Sequence, residues 1–183
     1  TMDLAVKAGD NADSHNHNDT GSVTLYKNGH PILVDIGVET YTQKTFSPRR
    51  YEIWTMQSGY HNLPTICGTD QKDGVEYRAE NVMTVLTVAE PSISMELAAA
   101  YPAAQAIVPD LTYVRRVTLK KSSNTVVLED YTNAQDVILN FITYEKPVFL
   151  SDGKLSIGEA SASFEGADLL AIETLPITDA RLK

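Results

Sequence analysis

The sequence predicts an all-β domain, an antiparallel β-sandwich of many strands arranged in two stacked sheets. Short alternating segments with turn signals at about 8–12 residue spacing carry this prediction. The 183 residues are enough for one domain with a proper core, so we expect residues 1–183 to form a single domain. The hydrophobic share of 43% and the charged share of 21% are ordinary for a globular protein.

The first predicted element is a β-hairpin. Residues 22–27 alternate between polar and apolar side chains, Asn28-Gly29 supplies a turn that tolerates positive φ, and residues 31–36 return. The polar stretch at residues 40–45 is predicted to be irregular. Residues 52–56 are then predicted to form another strand.

The later strands are predicted from short apolar runs separated by turns. Residues 95–108 contain a helix-like set of alanines, but Pro102 and Pro109 interrupt it, so we predict a strand followed by a loop there. The predicted strands in this part of the chain are residues 82–88, 92–97, 113–120, 126–130 and 137–144.

Composition and charge exclude several function classes. The formal net charge of −9 disfavours nucleic acid as a partner, because phosphate binding needs clustered Lys and Arg. No apolar run approaches the ~20 residues that cross a bilayer, so no membrane span is expected. The lone Cys67 rules out an internal disulfide and is expected to be a small buried residue. Because the chain starts at Thr1 without an initiator methionine, we expect it to be part of a larger protein.

A polar run near the N-terminus, residues 14–19, contains two histidines in a His-x-His pattern, His15 and His17. On an extended backbone, side chains at i and i+2 point to the same side, so both rings are expected to face one pocket. Asp35 on the return strand and His61 further along could join them. Two imidazoles and a carboxylate, with water or substrate as fourth ligand, form a recognised tetrahedral zinc arrangement.

The pattern alone leaves plainer explanations open. Asp35 could simply accept a backbone hydrogen bond, and His61 could lie in an ordinary loop. Short histidine motifs are weak evidence for a metal by themselves.

Three blocks of sequence together resemble the heparinase II/III-like family of polysaccharide lyases, which includes oligoalginate lyases. They are Ser-His-Asn-His-Asn-Asp-Thr-Gly-Ser at 14–22, Val-Asp-Ile-Gly at 34–37 and Tyr-His-Asn-Leu-Pro at 60–64. The resemblance extends from about Val6 to Val127. In that family a β-sandwich forms the C-terminal half, an α/α toroid precedes it, and the substrate cleft lies between them. The resemblance therefore implies a C-terminal β-sandwich without its N-terminal toroid partner.

The resemblance also implies roles for individual residues. It places zinc on His17, Asp35 and His61. It places His15 at the substrate cleft as a catalytic residue, together with Tyr51. Enzymes of this family cleave a uronic-acid-containing polysaccharide by β-elimination, in which a base removes the proton next to the carboxylate and the carboxylate must be neutralised.

Further substrate-binding candidates lie between the second and third blocks and at the start of the third. Arg49 and Arg50 could hold a carboxylate or sulfate in bidentate fashion, although a solvated surface pair or ion pairs with acidic residues are equally open. Tyr60, next to His61, could contact a sugar ring. Trp54 is expected to be a core residue.

The expected function is that of a zinc-binding C-terminal domain of a lyase acting on an acidic polysaccharide or oligosaccharide. The toroid domain of the same protein is its expected partner, and the isolated domain is expected to lack full activity. The alternative is a non-catalytic carbohydrate-binding or structural β-sandwich stabilised by zinc. Family members are typically exported bacterial enzymes, so a periplasmic or secreted location is expected.

Overall fold

The fold is all-β with antiparallel pairing throughout, as a computed structural model describes it for residues 1–151 and 153–183. The predicted fold class is therefore confirmed. In chain order the strands are β1 (Met2–Val6), β2 (Asp10–Asn11), β3 (Val23–Lys27), β4 (His30–Leu33), β5 (Pro64–Ile66), β6 (Gly74–Arg78), β7 (Glu80–Val85), β8 (Ser92–Glu96), β9 (Tyr113–Lys120), β10 (Thr125–Thr132), β11 (Val137–Leu139), β12 (Val148–Ser151), β13 (Lys154–Ile157) and β14 (Ala160–Ser163).

The largest sheet has four strands in the order β10-β9-β8-β7. Burial alternates along the first part of β9. Tyr113, Arg115 and Val117 are buried, whereas Val114 and Arg116 between them are exposed. One face of this sheet thus packs on the core while the other faces solvent, as is usual for antiparallel sheets.

The predicted hairpin is present as β3 and β4, which belong to a three-stranded sheet in the order β1-β3-β4. Lys27 pairs with His30, and Asn28 and Gly29 between them have the positive φ angles of a two-residue turn, 52° and 80°. The return strand is shorter than the predicted 31–36. It ends at Leu33, because the next residue turns away to bond a different segment.

Two apolar clusters hold the sheets together. The smaller one joins the three-stranded sheet to β13 through Leu25, Ile32 and Ile157. The larger one lies against the buried face of the four-stranded sheet and consists of Ile66, Met95, Leu97, Ala98, Ala100, Tyr101, Ala104, Leu111, Tyr113 and Ala134. Cys67 is only half-buried, at the margin of the larger cluster and with a φ of 51°.

The strand predicted at 52–56 is wrong. This stretch belongs to a run of short 3-10 turns, Gln43–Phe46, Arg50–Glu52, Trp54–Met56 and Ser58–Tyr60. Its backbone bonds close on carbonyls three residues back, as from Met56 N to Ile53 O at 3.0 Å. Trp54 is half-buried rather than a core residue, and its indole N–H donates to Glu39 at 2.7 Å.

The loop predicted after residue 97 is also wrong. Strand β8 ends at Glu96, and the chain continues as a 3-10 turn, Ala98–Ala100, and a short helix α1, Pro102–Ile107. Pro102 begins this helix, a position where the missing N–H costs nothing because it would have no partner inside the helix. The strands at 82–88 and 137–144 are shorter than predicted.

Strand β7 is the edge of the four-stranded sheet, and all six of its residues are exposed. Large apolar side chains lie in it and just after it, with Met83 65%, Leu86 86% and Val88 88% exposed. Among the residues that the structure describes, no helix is long and apolar enough to cross a membrane.

Candidate metal centre

Three side chains from separate segments converge beside the three-stranded sheet. His17, Asp35 and His61 each offer a ligand atom, and these atoms all lie within 4.8 Å of one another. Both histidines are buried, whereas the carboxylate side chain is 40% exposed. The sequence predicted these three residues as ligands of one metal ion, and the structure brings their ligand atoms close to one another.

The hydrogen bonding of His61 determines which of its nitrogens is free. Its Nε2 lies 3.1 Å from the carbonyl oxygen of Thr55, which can only accept, so the proton of the neutral ring belongs on Nε2. In this neutral form the buried Nδ1 carries a lone pair, has no hydrogen-bond partner, and lies 3.3 Å from Asp35 Oδ2. A backbone carbonyl that fixes the far nitrogen is the usual support of a histidine ligand.

The protonation of the other two groups also suits a cation. Burial, followed by the neighbouring His61, lowers the pKa of His17 below its usual value, so this ring is neutral near neutral pH. Burial tends to raise the pKa of Asp35, but His61 and the N–H of Gly37 outweigh it and lower the pKa to about 2. The donor set thus consists of two imidazoles and one carboxylate, which fits zinc.

The segment that carries His17 is fixed by its neighbours. Asn18 N donates to Met56 O at 2.9 Å, and Arg50 Nε donates to Asn16 O at 2.9 Å. Both contacts attach this segment to the run of 3-10 turns, which therefore forms one wall of the centre.

Asn62 fixes His61 relative to Asp35. Its side chain is fully buried and donates to Val23 O at 2.7 Å and to Val34 O at 3.0 Å. It also accepts from Ile142 N at 2.7 Å. Because Asn62 follows His61 and Val34 precedes Asp35, one amide sets the separation of two candidate ligands.

Arg115 ties the same segments to the four-stranded sheet. Its guanidinium is 1% exposed and donates through Nη1 to Gly21 O at 3.0 Å and to Asn62 O at 2.7 Å. Asp130 neutralises it through two bonds of 2.8 Å. Sequence reasoning missed Arg115 and Asn62, although a charged residue at an inward position of β9 is a visible signal.

His15 does not share the pocket of His17, so the expectation based on an extended backbone is wrong. The φ of His15 is 62°, and its exposed ring stacks on Tyr41 with centroids 6.0 Å apart. The ring of His17 instead lies 5.3 Å from that of His61. Tyr51 lies near this point, because its hydroxyl is 3.5 Å from Asn16 Nδ2.

The substrate-binding candidates all lie in the run of 3-10 turns. Arg49 is paired with Glu52, with Nη2 2.8 Å from Oε2. Arg50 donates to the carbonyls of Asn16 and Thr45. Tyr60 packs edge-on against Trp54, with centroids 5.0 Å apart. Their roles toward a substrate stay predictions.

The fold and the site together define an antiparallel β-sandwich domain with two buried histidines beside a partly exposed carboxylate. Comparison with known sequences identifies its family. Residues 1–138 match the family described as Heparinase II/III-like, C-terminal. The chain belongs to this family, which confirms the resemblance seen in the sequence. No curated protein matches the chain.

Solved structures show the same fold. A heparinase III described as the BT4657 gene product matches with a TM-score of 0.61 at 19% identity, over 84% of this chain and 23% of that chain. Heparan sulfate lyase HepC from Pedobacter heparinus matches with a TM-score of 0.60 at 17% identity, over 83% and 24%. A structure titled heparinase III gives 0.57 at 22% identity, over 78% and 21%. The chain spans less than a quarter of the length of these proteins.

Proposed function

We propose that this chain is the zinc-binding C-terminal domain of a polysaccharide lyase that cleaves a uronic-acid-containing glycan by β-elimination. Family membership supports the lyase class. The observation that carries the zinc proposal is the buried, undonated Nδ1 of His61, which faces the carboxylate of Asp35. An imidazole lone pair and a carboxylate oxygen at that distance repel unless a proton or a metal ion lies between them, and the ligand atom of His17 within 4.8 Å of both favours a metal ion.

Zinc on His17, Asp35 and His61 would supply positive charge that holds three chain segments together at the wall of a cleft. The neighbouring protein residues orient the candidate ligands. Thr55 orients the ring of His61, and Gly37 N donates to the Asp35 oxygen that does not face this ring, at 2.7 Å. These contacts orient two of the three candidate ligands from within the protein.

β-Elimination needs a proton removed next to the substrate carboxylate and charge neutralised on that carboxylate. The ring of His15 is exposed and can donate an N–H to the substrate carboxylate, and stacking on Tyr41 orients this ring. Tyr51, tethered near Asn16, is the candidate on this chain to move a proton. The rest of the cleft would come from an α/α toroid of the same protein, in the periplasm or outside the cell.

The alternative is a non-catalytic carbohydrate-binding or structural sandwich that keeps zinc for stability. The conformation of His15 favours the lyase. A histidine with a φ of 62° stores backbone strain, and such strain concentrates at functional sites. A purely structural zinc centre needs the three ligands but gives no reason for His15.

The metal is tested by elemental analysis of the chain purified without chelator, beside His17→Ala and the matched control His30→Ala. His30 is an exposed histidine that begins β4 and pairs with Lys27, and it does not belong to the group of candidate ligands. We expect near-stoichiometric zinc in the wild type and in His30→Ala, and its loss in His17→Ala. A metal-free wild type, or zinc retained in His17→Ala, would refute the ligand assignment.

The reaction is tested in the full-length protein by the absorbance of the unsaturated product. His15→Ala should abolish product formation while zinc content stays at the wild-type level. Full activity in His15→Ala would refute the catalytic role of His15, and loss of zinc would show that His15 supports the metal instead. Absence of unsaturated product from the wild-type protein would favour the non-catalytic alternative.

A further inference from the structure

The C-terminal segment, residues 179–183, returns to the candidate metal centre. Thr40 donates to Asp179 twice, from its backbone N and its Oγ1, both at 3.1 Å. Leu182 lies against Gly37, with its Cδ2 3.7 Å from where a Cβ on that glycine would stand. The segment is thus anchored on the loop that follows Asp35, although it lies outside the residues 1–138 that match the family.

This anchoring places the guanidinium of Arg181 over an aromatic ring. Its central carbon is 4.8 Å from the centroid of Tyr41. The Tyr41 ring lies nearly parallel to that of His15, at 11°. Phe46 packs edge-on against both rings, with centroids 5.5 Å from Tyr41 and 6.4 Å from His15. Arg181 and His15, the residue proposed to hold the substrate carboxylate, therefore both pack against Tyr41.

The guanidinium of Arg181 has donors available for a ligand, although Asp179, which accepts from the backbone N of Arg181 at 2.8 Å, is a nearby carboxylate. Within residues 1–151 and 153–183, no carboxylate oxygen lies within salt-bridge distance of its guanidinium, whereas Arg49 is paired with Glu52 and Arg115 with Asp130. Packing on an aromatic face positions a guanidinium without cancelling its charge. The position of this charge on Tyr41, beside His15, is what distinguishes it from the other exposed cations of the chain.

The neighbouring aromatic residues offer apolar surface to the same ligand. Phe46 is 68% exposed and Tyr41 is 38% exposed, and both belong to a short stretch that is otherwise polar. An exposed aromatic ring next to a guanidinium suits a sugar ring that carries an acidic group, because the ring packs on the apolar face and the fork holds the anion.

We propose that Arg181, with Tyr41 and Phe46, forms a subsite for a carboxylate or sulfate group on a sugar next to the one held by His15. The class of ligand rests on the proposed function. The subsite itself lies entirely within this chain, so the chain alone binds acidic oligosaccharide weakly and saturably, whether or not it catalyses cleavage.

The test is an NMR titration of the 183-residue chain with three probes: an unsulfated glucuronate-containing tetrasaccharide, a sulfated tetrasaccharide and a neutral glucose tetrasaccharide. We expect saturable shifts at residues 40–46 and 179–183 with at least one acidic probe. Arg181→Gln should weaken that binding about tenfold, because a charge-assisted hydrogen bond is lost. The acidic tetrasaccharide that binds with the higher affinity identifies the bound group as sulfate or carboxylate.

Lys183→Gln is the matched control, since it removes the same charge two residues away, and it should change the affinity by less than about twofold. Equal weakening in Arg181→Gln and Lys183→Gln would overturn the subsite, as would a neutral probe that binds as tightly as the acidic ones. Absence of saturation with both acidic probes would overturn it too.

Asp179→Ala provides a second variant, because it releases the segment while Arg181 stays present. We expect it to weaken binding as much as Arg181→Gln, with zinc content and circular dichroism unchanged. Wild-type affinity in Asp179→Ala would refute the role of the anchored segment. Binding that survives the loss of zinc or of lyase activity would separate this proposal from the proposed function.

Discussion

Replacing Arg115 by Met removes the clamp between the four-stranded sheet and the segments of the metal centre. Met keeps much of the apolar volume of the side chain but none of its donors. Asp130, only 8% exposed on its side chain, would lose its two bonds to the guanidinium. The carbonyls of Gly21 and Asn62 would lose the bonds that they accept from Nη1.

The structure sets the size of the expected effect. Breaking a buried ion pair by removing one partner costs about 3–5 kcal/mol, because the remaining charge is buried without compensation. Tyr113 still donates to Asp130 at 2.9 Å and relieves part of this cost. The two orphaned carbonyls offset that relief, so we expect a loss of about 4 kcal/mol. In a domain of this size, that corresponds to a fall in Tm of about 8–16 °C.

The assay is urea unfolding followed by circular dichroism, with thermal scans as a second measure. Arg116→Met is the matched control: Arg116 is the next residue on the same strand and is exposed. We expect it to change the free energy of unfolding by less than about 0.5 kcal/mol. If Arg115→Met were within about 1 kcal/mol of the wild type, or no worse than Arg116→Met, Arg115 would not act as a clamp.

Two further predictions concern a close backbone contact and alkaline pH. Gly21→Ala should destabilise by about 1–3 kcal/mol more than Gly29→Ala in urea unfolding, and equal losses would show that the contact relaxes freely. Both glycines have positive φ, but only a Cβ on Gly21 would come within 2.6 Å of a Leu97 methyl. Burial raises the pKa of Tyr101 and Tyr113 above the usual value, so the folded state keeps their protons. Stability present at neutral pH should therefore fall as pH rises above about 10, with these tyrosinates appearing in the ultraviolet spectrum only on unfolding; earlier titration would contradict this.

The parts of the fold that the sequence predicts well are those with local causes. The hairpin around Asn28 and Gly29 follows from turn residues between two alternating segments, and Lys27 pairs with His30 across the turn. Strand β9 occupies the predicted residues 113–120, because an apolar and β-branched run there is bounded by loop and turn residues. The three candidate ligands were also predicted together, because short blocks resembling the family carry them.

The remaining features depend on contacts far apart in sequence. Arg115 bonds a carbonyl 94 residues away, and nothing near it predicts that partner. Residues 52–56 are apolar enough for a strand, yet local bonds and the burial of Met56 make them turns. His15 departs from an extended backbone through one φ angle, for which the neighbouring residues give no signal. The hairpin strands β12 to β14 were not predicted either.

The fully exposed strand β7 has a consequence for handling the protein in solution. An uncovered sheet edge with apolar side chains is a template for pairing with another molecule. Mutual repulsion between copies, each with a net charge of −9, opposes that pairing at neutral pH. Repulsion weakens in concentrated salt, where the Debye length falls to about 3 Å, and it vanishes near the sequence pI of 4.8. Dilute salt and a pH well above the pI are therefore the conditions under which concentrated samples should stay monomeric.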